Sequence, residues 1–129
     1  MSGEIEVLKT FVRTFLRSNL EPVPPKRDAS GKVHLEVWRS PEKRRAVGLE
    51  LGHGSHVNLW LVRINVPRML PASILINLKE PKDRGWIDAA GDGANSNLSG
   101  YDEFRTRPIS RLTVTSIEDA RIVLEALLP

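Results

Sequence analysis

Residues 56–66 constrain the fold most, because they carry apolar side chains on both faces of an extended segment. In the string HVNLWLVRINV, three alternating positions on one face are apolar, namely Val57, Leu59 and Leu61. The positions on the opposite face are also apolar, namely Trp60, Val62 and Ile64. A strand that is apolar on both faces needs a covering layer on each side. The sequence therefore predicts a central strand buried on both sides.

Two amphipathic helices are predicted at the ends of the chain. Apolar residues recur at three- and four-residue steps over residues 3–19, and Pro22 ends that pattern. Near the other end, Ser116 is a typical helix N-cap, and Asp119 stands three residues later as a capping-box partner. The final helix then presents one apolar stripe, formed by Ile117, Ala120, Val123, Leu124 and Leu127.

The remaining patterns favour short strands joined by turns and one long irregular segment. Alternation over residues 33–38 predicts a half-buried strand, and residues 46–51 form its hairpin partner. Residues 74–78 and 111–115 are further strand candidates. Residues 84–110 lack periodicity and are rich in glycine and asparagine, a pattern typical of functional or mobile loops.

These elements predict an α+β fold, with a small, mostly antiparallel sheet and an N-terminal and a C-terminal helix packed on it. All 129 residues fit one compact domain. Its parts are the helix at 3–19, a Pro-rich loop at 21–32, and the sheet with the closing helix between residues 33 and 128.

Composition excludes several classes of protein. The chain has no cysteine, so disulfides, thiol nucleophiles and cysteine-based metal centres are ruled out. The longest uncharged run, residues 51–62, is too short to span a membrane, which takes about 20 residues. Charges spread through the first twenty residues do not fit a signal peptide. We therefore expect a cytoplasmic protein without a membrane partner, and no motif indicates a cofactor.

Positive charge is concentrated toward the beginning of the chain. Residues 1–45 hold ten basic and six acidic residues, whereas residues 46–129 hold nine and ten. This asymmetry favours a non-enzymatic module that binds nucleic acid, or is associated with it, through phosphate contacts. The predicted contact set is Trp38, Arg39, Lys43, Arg44, Arg45, Arg105 and Arg107. A solvated charged surface is the simpler interpretation of the same residues.

A protein-interaction or regulatory role is the alternative, with the 84–110 segment as its surface. The candidate contact residues there are Trp86, Asn95, Asn97 and Tyr101. The acidic and amide residues of this segment do not follow the order of an EF-hand, because Asp92 is followed at once by Gly93. The simpler interpretation is a surface loop rich in turn-forming residues.

A metal-dependent hydrolase or nuclease is a third, weaker hypothesis. His53 and His56 flank a glycine turn, and His34 on a nearby strand could be a third metal ligand. The string Glu80-Pro81-Lys82 after a strand matches the short acid-x-lysine pattern of metal-dependent nucleases, although proline fits a strand poorly. No arrangement of residues indicates a nucleophilic catalytic site, so no catalytic residue is assigned.

Overall fold

The computed structural model describes residues 2–23, 35–41, 45–51, 54–82, 85–93, 98, 101 and 103–128. The helices are α1 (Ser2–Asn19) and α2 (Ile117–Glu125). The strands are β1 (Glu21–Pro22), β2 (Leu35–Arg39), β3 (Ala46–Glu50), β4 (Val57–Val62), β5 (Leu75–Lys82), β6 (Gly85–Ile87) and β7 (Ile109–Val114). The predicted α+β fold is confirmed.

All the strand pairs are antiparallel, and the seven strands follow the order β1-β2-β3-β4-β7-β5-β6. Strand β4 lies in the middle of this order, between β3 and β7, and all of its residues are buried. The central strand predicted from residues 56–66 is therefore confirmed over residues 57–62. The chain continues from it into a single 3-10 turn at Arg63–Asn65.

The two helices cover one face of the sheet. Their apolar stripes meet the inward side chains of the central strands in a cluster that includes Leu8, Val12, Leu59, Leu112 and Val123. Helix α2 begins as predicted, because the Ser116 side chain accepts a hydrogen bond from the Asp119 backbone N–H at 3.1 Å. The Asp119 carboxylate instead accepts a hydrogen bond from the Ser73 hydroxyl at 2.7 Å, so it ties α2 to the segment before β5.

The opposite face is covered by the segment that has no periodicity in the sequence. Leu98, Tyr101 and Phe104 are buried against side chains from β2, β3, β4 and β7 in a second apolar cluster. Trp86 of β6 joins this cluster, and its indole N–H donates to the Arg107 carbonyl oxygen at 2.6 Å. The sheet therefore has a helical layer on one face and an irregular layer on part of the other.

Gly48 of β3 lets the irregular layer approach the sheet closely. A Cβ atom at this position would lie 3.0 Å from Leu98 Cδ2 and 3.2 Å from Trp60 Cβ. Real Cβ atoms rarely meet a neighbour at such distances, so the missing side chain makes room for Leu98. This contact joins the irregular layer to the centre of the sheet.

A buried ion pair anchors the turn that follows β6. The Lys79 side chain of β5 is 1% exposed, and its ammonium group donates to Asp88 Oδ2 at 2.8 Å and to the Asp92 carbonyl oxygen at 3.3 Å. Asp88 Oδ1 accepts from the backbone N–H groups of Ala90 and Asp92. A buried charge needs such partners. The hydrogen bond from Lys79, with those from the backbone, holds the pKa of Asp88 well below its usual range.

Three stretches contain more regular structure than the sequence predicts. Strand β5 continues through the Glu80-Pro81-Lys82 string, which was expected to follow the strand and instead pairs with β6. The segment expected to be a Pro-rich loop begins with strand β1, in which Glu21 and Pro22 pair with Arg39 and Trp38 at the edge of the sheet. The segment 84–110 contains β6 and the start of β7. Strands β1 and β6 are short, and each is stabilised by pairing with a neighbouring strand. The local sequence therefore carries little signal for them.

Gly48→Val is expected to destabilise the fold, because its methyl groups would occupy the space that Leu98 fills. Overpacking of this kind costs about 1–3 kcal/mol. The unfolding free energy from urea titration measures the effect. Gly54→Val is the control, since a Cβ at Gly54 would meet nothing within 4 Å. A Gly48→Val protein as stable as the control would contradict the close contact with Leu98.

The stability difference between the natural protein and Asp88→Asn is expected to depend on pH. Since the pKa of Asp88 is lowered in the folded state, its stabilisation is complete above the unfolded pKa of about 4 and is lost as the pH falls further. Urea midpoints should therefore differ most near neutral pH and converge under acid conditions. Asp92→Asn is the control, because Asp92 contacts Lys79 and Asp88 through its backbone. A difference that stays constant with pH would contradict this account.

Candidate nucleic-acid interface

The antiparallel topology gathers many of the predicted basic residues at one end of the sheet. The register pairs Arg39 with Ala46, so β2 ends where β3 begins. The register also pairs Val62 with Ile109, so β4 ends where β7 begins. We call this end of the sheet the basic end and define it by Arg39, Arg45, Arg63, Arg105 and Arg107.

Arg39 is the structural centre of the basic end. Its guanidinium group forms ion pairs with Glu21 of β1 and with Glu103, each at 3.0 Å. The hydrogen bond with Glu21 is the main reason why the pKa of Arg39 is raised above its usual value. The two pairs join β1, β2 and the irregular layer, and their two carboxylates outweigh the single positive charge of Arg39.

Arg45 is also held by the protein itself. Its guanidinium group donates to the Ala126 carbonyl oxygen at 2.7 Å, just past the end of α2. A cation at this end of a helix is favourable because the last carbonyl groups carry partial negative charge. Lys43 and Arg44, which precede Arg45 in the chain, lie outside the described residues.

Arg105 and Arg107 are exposed to solvent at the same end. Arg107 lines a shallow depression of about 430 Å³ together with Val62, Arg63, Ile64 and Pro108. Arg63 forms an ion pair with Glu80 at 2.6 Å. The sequence prediction did not include Arg63. Its position directly after the central strand was a usable signal that it lies where that strand ends.

The ring of Trp38 lies apart from the exposed arginines. Trp38 alternates with Val37 and Arg39 along β2, so its side chain lies on the helix-covered face. There it packs against the first core cluster, and its indole N–H donates to Glu36 Oε1 at 3.3 Å. The structure therefore does not bring this aromatic ring together with Arg105 and Arg107.

The aromatic residues of the predicted interaction loop belong to the second apolar cluster. Trp86 is 4% exposed and Tyr101 is 7% exposed. Burial, and to a smaller extent the charge of Glu103, raises the pKa of Tyr101. Asn95 and Asn97 lie outside the described residues. A protein-interaction role for residues 84–110 stays a prediction, and these two rings are placed in the core.

The histidines give little geometry to test. His34 and His53 lie outside the described residues, and His56 Nδ1 lies 3.0 Å from the Ser55 hydroxyl oxygen. Over the described part of the chain, no cluster of three or more His, Cys, Asp or Glu side chains is arranged to hold a metal. Glu80, from the nuclease-like string, is paired with Arg63.

The chain matches no protein-family model, and no curated protein or solved structure is significantly similar to it. Neither of the two helices in the described ranges is long and apolar enough to cross a membrane.

Proposed function

We propose that this chain is a non-enzymatic binding module that contacts nucleic-acid phosphates through the basic end. One observation carries the proposal. Basic residues that are far apart in sequence lie together at one end of the sheet, where β2 and β4 end and β3 and β7 begin. Arg39 and Arg105 are 66 positions apart in the sequence, yet Arg39 donates a hydrogen bond to Glu103, two residues before Arg105. Arg63 lies at the same end of the sheet, where it forms an ion pair with Glu80.

The arginines of the basic end have two different roles in this proposal. Arg39 and Arg45 hold the end together through Glu21, Glu103 and the C-terminus of α2. Arg105 and Arg107, on the exposed surface, contact phosphate, and a guanidinium group suits this task because it offers paired donors. Lys43 and Arg44 complete the predicted contact set.

The proposed binding is independent of nucleotide sequence. Phosphate contacts position a nucleic acid and carry no base information, whereas base readout needs an element that enters a groove or stacks several bases. Within the described residues the basic end consists of strand ends and turns. The Trp38 ring lies on the helix-covered face of the sheet, apart from Arg105 and Arg107. The exposed side chain of Ile64, beside Arg107, supplies apolar contact area for a sugar or a base edge.

Charge reversal at Arg105 and Arg107 is expected to weaken binding much more than charge reversal elsewhere. Fluorescence anisotropy with short single- and double-stranded DNA and RNA measures the affinity at about 50 and 200 mM salt. For about four phosphate contacts, the natural protein should lose roughly a hundredfold in affinity between the two salt concentrations. Arg105→Glu combined with Arg107→Glu should lower the affinity and flatten this salt dependence.

The matched control is Lys9→Glu combined with Arg121→Glu, which causes the same change in net charge on helices α1 and α2. It should affect the affinity only slightly, since both residues lie near the middle of helices that pack on one face of the sheet, away from the strand ends that form the basic end. Equal losses in the two double variants would assign the binding to overall charge. An affinity unchanged by reversal at Arg105 and Arg107, or no binding at the lower salt concentration, would refute the proposal.

A further inference from the structure

Two rows of side chains cross β3, β4, β7 and β5 on the second sheet face, at the border of the irregular layer as far as the structure describes it. The register aligns Glu50, Asn58, Thr113 and Leu75 in the outer row. It aligns Gly48, Trp60, Arg111 and Asn77 in the inner row. A cleft of about 520 Å³ lies over these rows, with Gly93 at its side. Pockets that take small molecules usually have volumes of about 300–1,000 Å³.

The outer row is a chain of hydrogen bonds. The Thr113 hydroxyl donates to Asn58 Oδ1 at 2.7 Å, and Asn58 Nδ2 donates to Glu50 Oε1 at 2.7 Å. Asn58 is 3% exposed, so these bonds satisfy a buried amide in the middle of the sheet. They fix the orientation of the polar wall of the cleft.

The inner row is polar but incompletely satisfied. Trp60 is 2% exposed, and its indole N–H has no hydrogen-bond partner in the described structure. The buried Nε of Arg111 and the buried Oδ1 of the adjacent Asn77 also have none among the described residues. The guanidinium carbon of Arg111 lies 5.8 Å from the centre of the Trp60 ring, within cation–π distance. Two neighbouring buried donors without acceptors are costly unless a bound group accepts from them.

Arg111 brings a positive charge to this row that the described residues do not neutralise. The ion pairs among those residues involve Arg13, Arg39, Arg63 and Lys79, not Arg111. Glu50 belongs to the outer row, about 7 Å along the strands from the inner row, and bonds to Asn58. The inner row therefore offers a cation and two N–H donors, a combination that suits a negatively charged oxygen acceptor.

We propose that the cleft binds a small organic oxyanion, a carboxylate or a phosphate monoester, whose charged oxygens accept from Arg111 and from the indole N–H of Trp60. The rest of the ligand lies along the outer row, where Leu75 provides apolar surface and Thr113 and Asn58 provide polar surface. This site is separate from the basic end, which lies past the opposite ends of β4 and β7. It does not depend on nucleic-acid binding.

The indole N–H signals in an NMR spectrum report directly on this site. The chain has three tryptophans, and in the free protein Trp38 and Trp86 donate to Glu36 and to the Arg107 carbonyl oxygen. Of the three, the Trp60 N–H alone has no acceptor among the residues that the structure describes. Titration with inorganic phosphate and, separately, with benzoate should move the Trp60 signal downfield and leave the other two in place. Trp60→Phe assigns the signal.

Arg111→Gln should weaken the binding of the effective probe by roughly tenfold or more, because a charge-assisted hydrogen bond is lost. Arg17→Gln is the matched control, since it removes one arginine charge from helix α1 on the opposite face of the sheet, and it should leave the affinity unchanged. If Arg111→Gln does not fold, as judged from the Trp38 and Trp86 signals, Arg111→Lys replaces it, with the same loss expected because the paired donors are gone.

The titrations distinguish between the two ligand classes and can refute the proposal. A Trp60 shift with phosphate alone supports a phosphate monoester ligand, and a shift with benzoate alone supports a carboxylate. A Trp60 signal that neither probe moves at tens of millimolar would overturn the proposal. So would a shift that persists undiminished in the Arg111 variant.

Discussion

Burial of strand β4 on both faces is the constraint on which the rest of the structure depends. Each large apolar side chain buried on folding contributes about 1.5–3 kcal/mol, so a strand with two apolar faces requires a cover on each. The helices cover Leu59 and its neighbours on one face, and the segment around Leu98 and Phe104 covers Trp60 and Val62 on the other. Over the described residues the second cover reaches only part of that face, and the polar cleft lies at its border.

Periodic patterns in the sequence predict the elements, but they do not predict which elements pair. The central strand, the β2–β3 hairpin and the Ser116 cap each depend on residues close together in the chain, and each was predictable. The position of β7 between β4 and β5 was not, because strand partners distant in sequence leave no local signal. The same holds for Trp86 and Tyr101, whose burial depends on contacts across the molecule.

Charge composition predicted the basic end only in part. It identified Arg105 and Arg107, but not the pairing of Arg39 with Glu103 across 64 positions of sequence. The inner row of the cleft lies on strands that were predicted. Polar residues at alternate positions of a buried strand indicate a polar site on one face of the sheet. Arg111 alternates with buried residues on β7 in this way. Its position beside Trp60 could be known only from the strand register.

Contact between Leu98 and Gly48 is the most direct test of the central claim that the irregular segment forms the second layer of the fold. A nuclear Overhauser spectrum of the methyl-labelled protein measures it. We expect strong cross-peaks between the Leu98 methyl groups and the Gly48 α-protons, because a Cβ on Gly48 would lie 3.0 Å from Leu98 Cδ2. Leu98 methyl signals at random-coil positions, without cross-peaks to Gly48, would contradict the account.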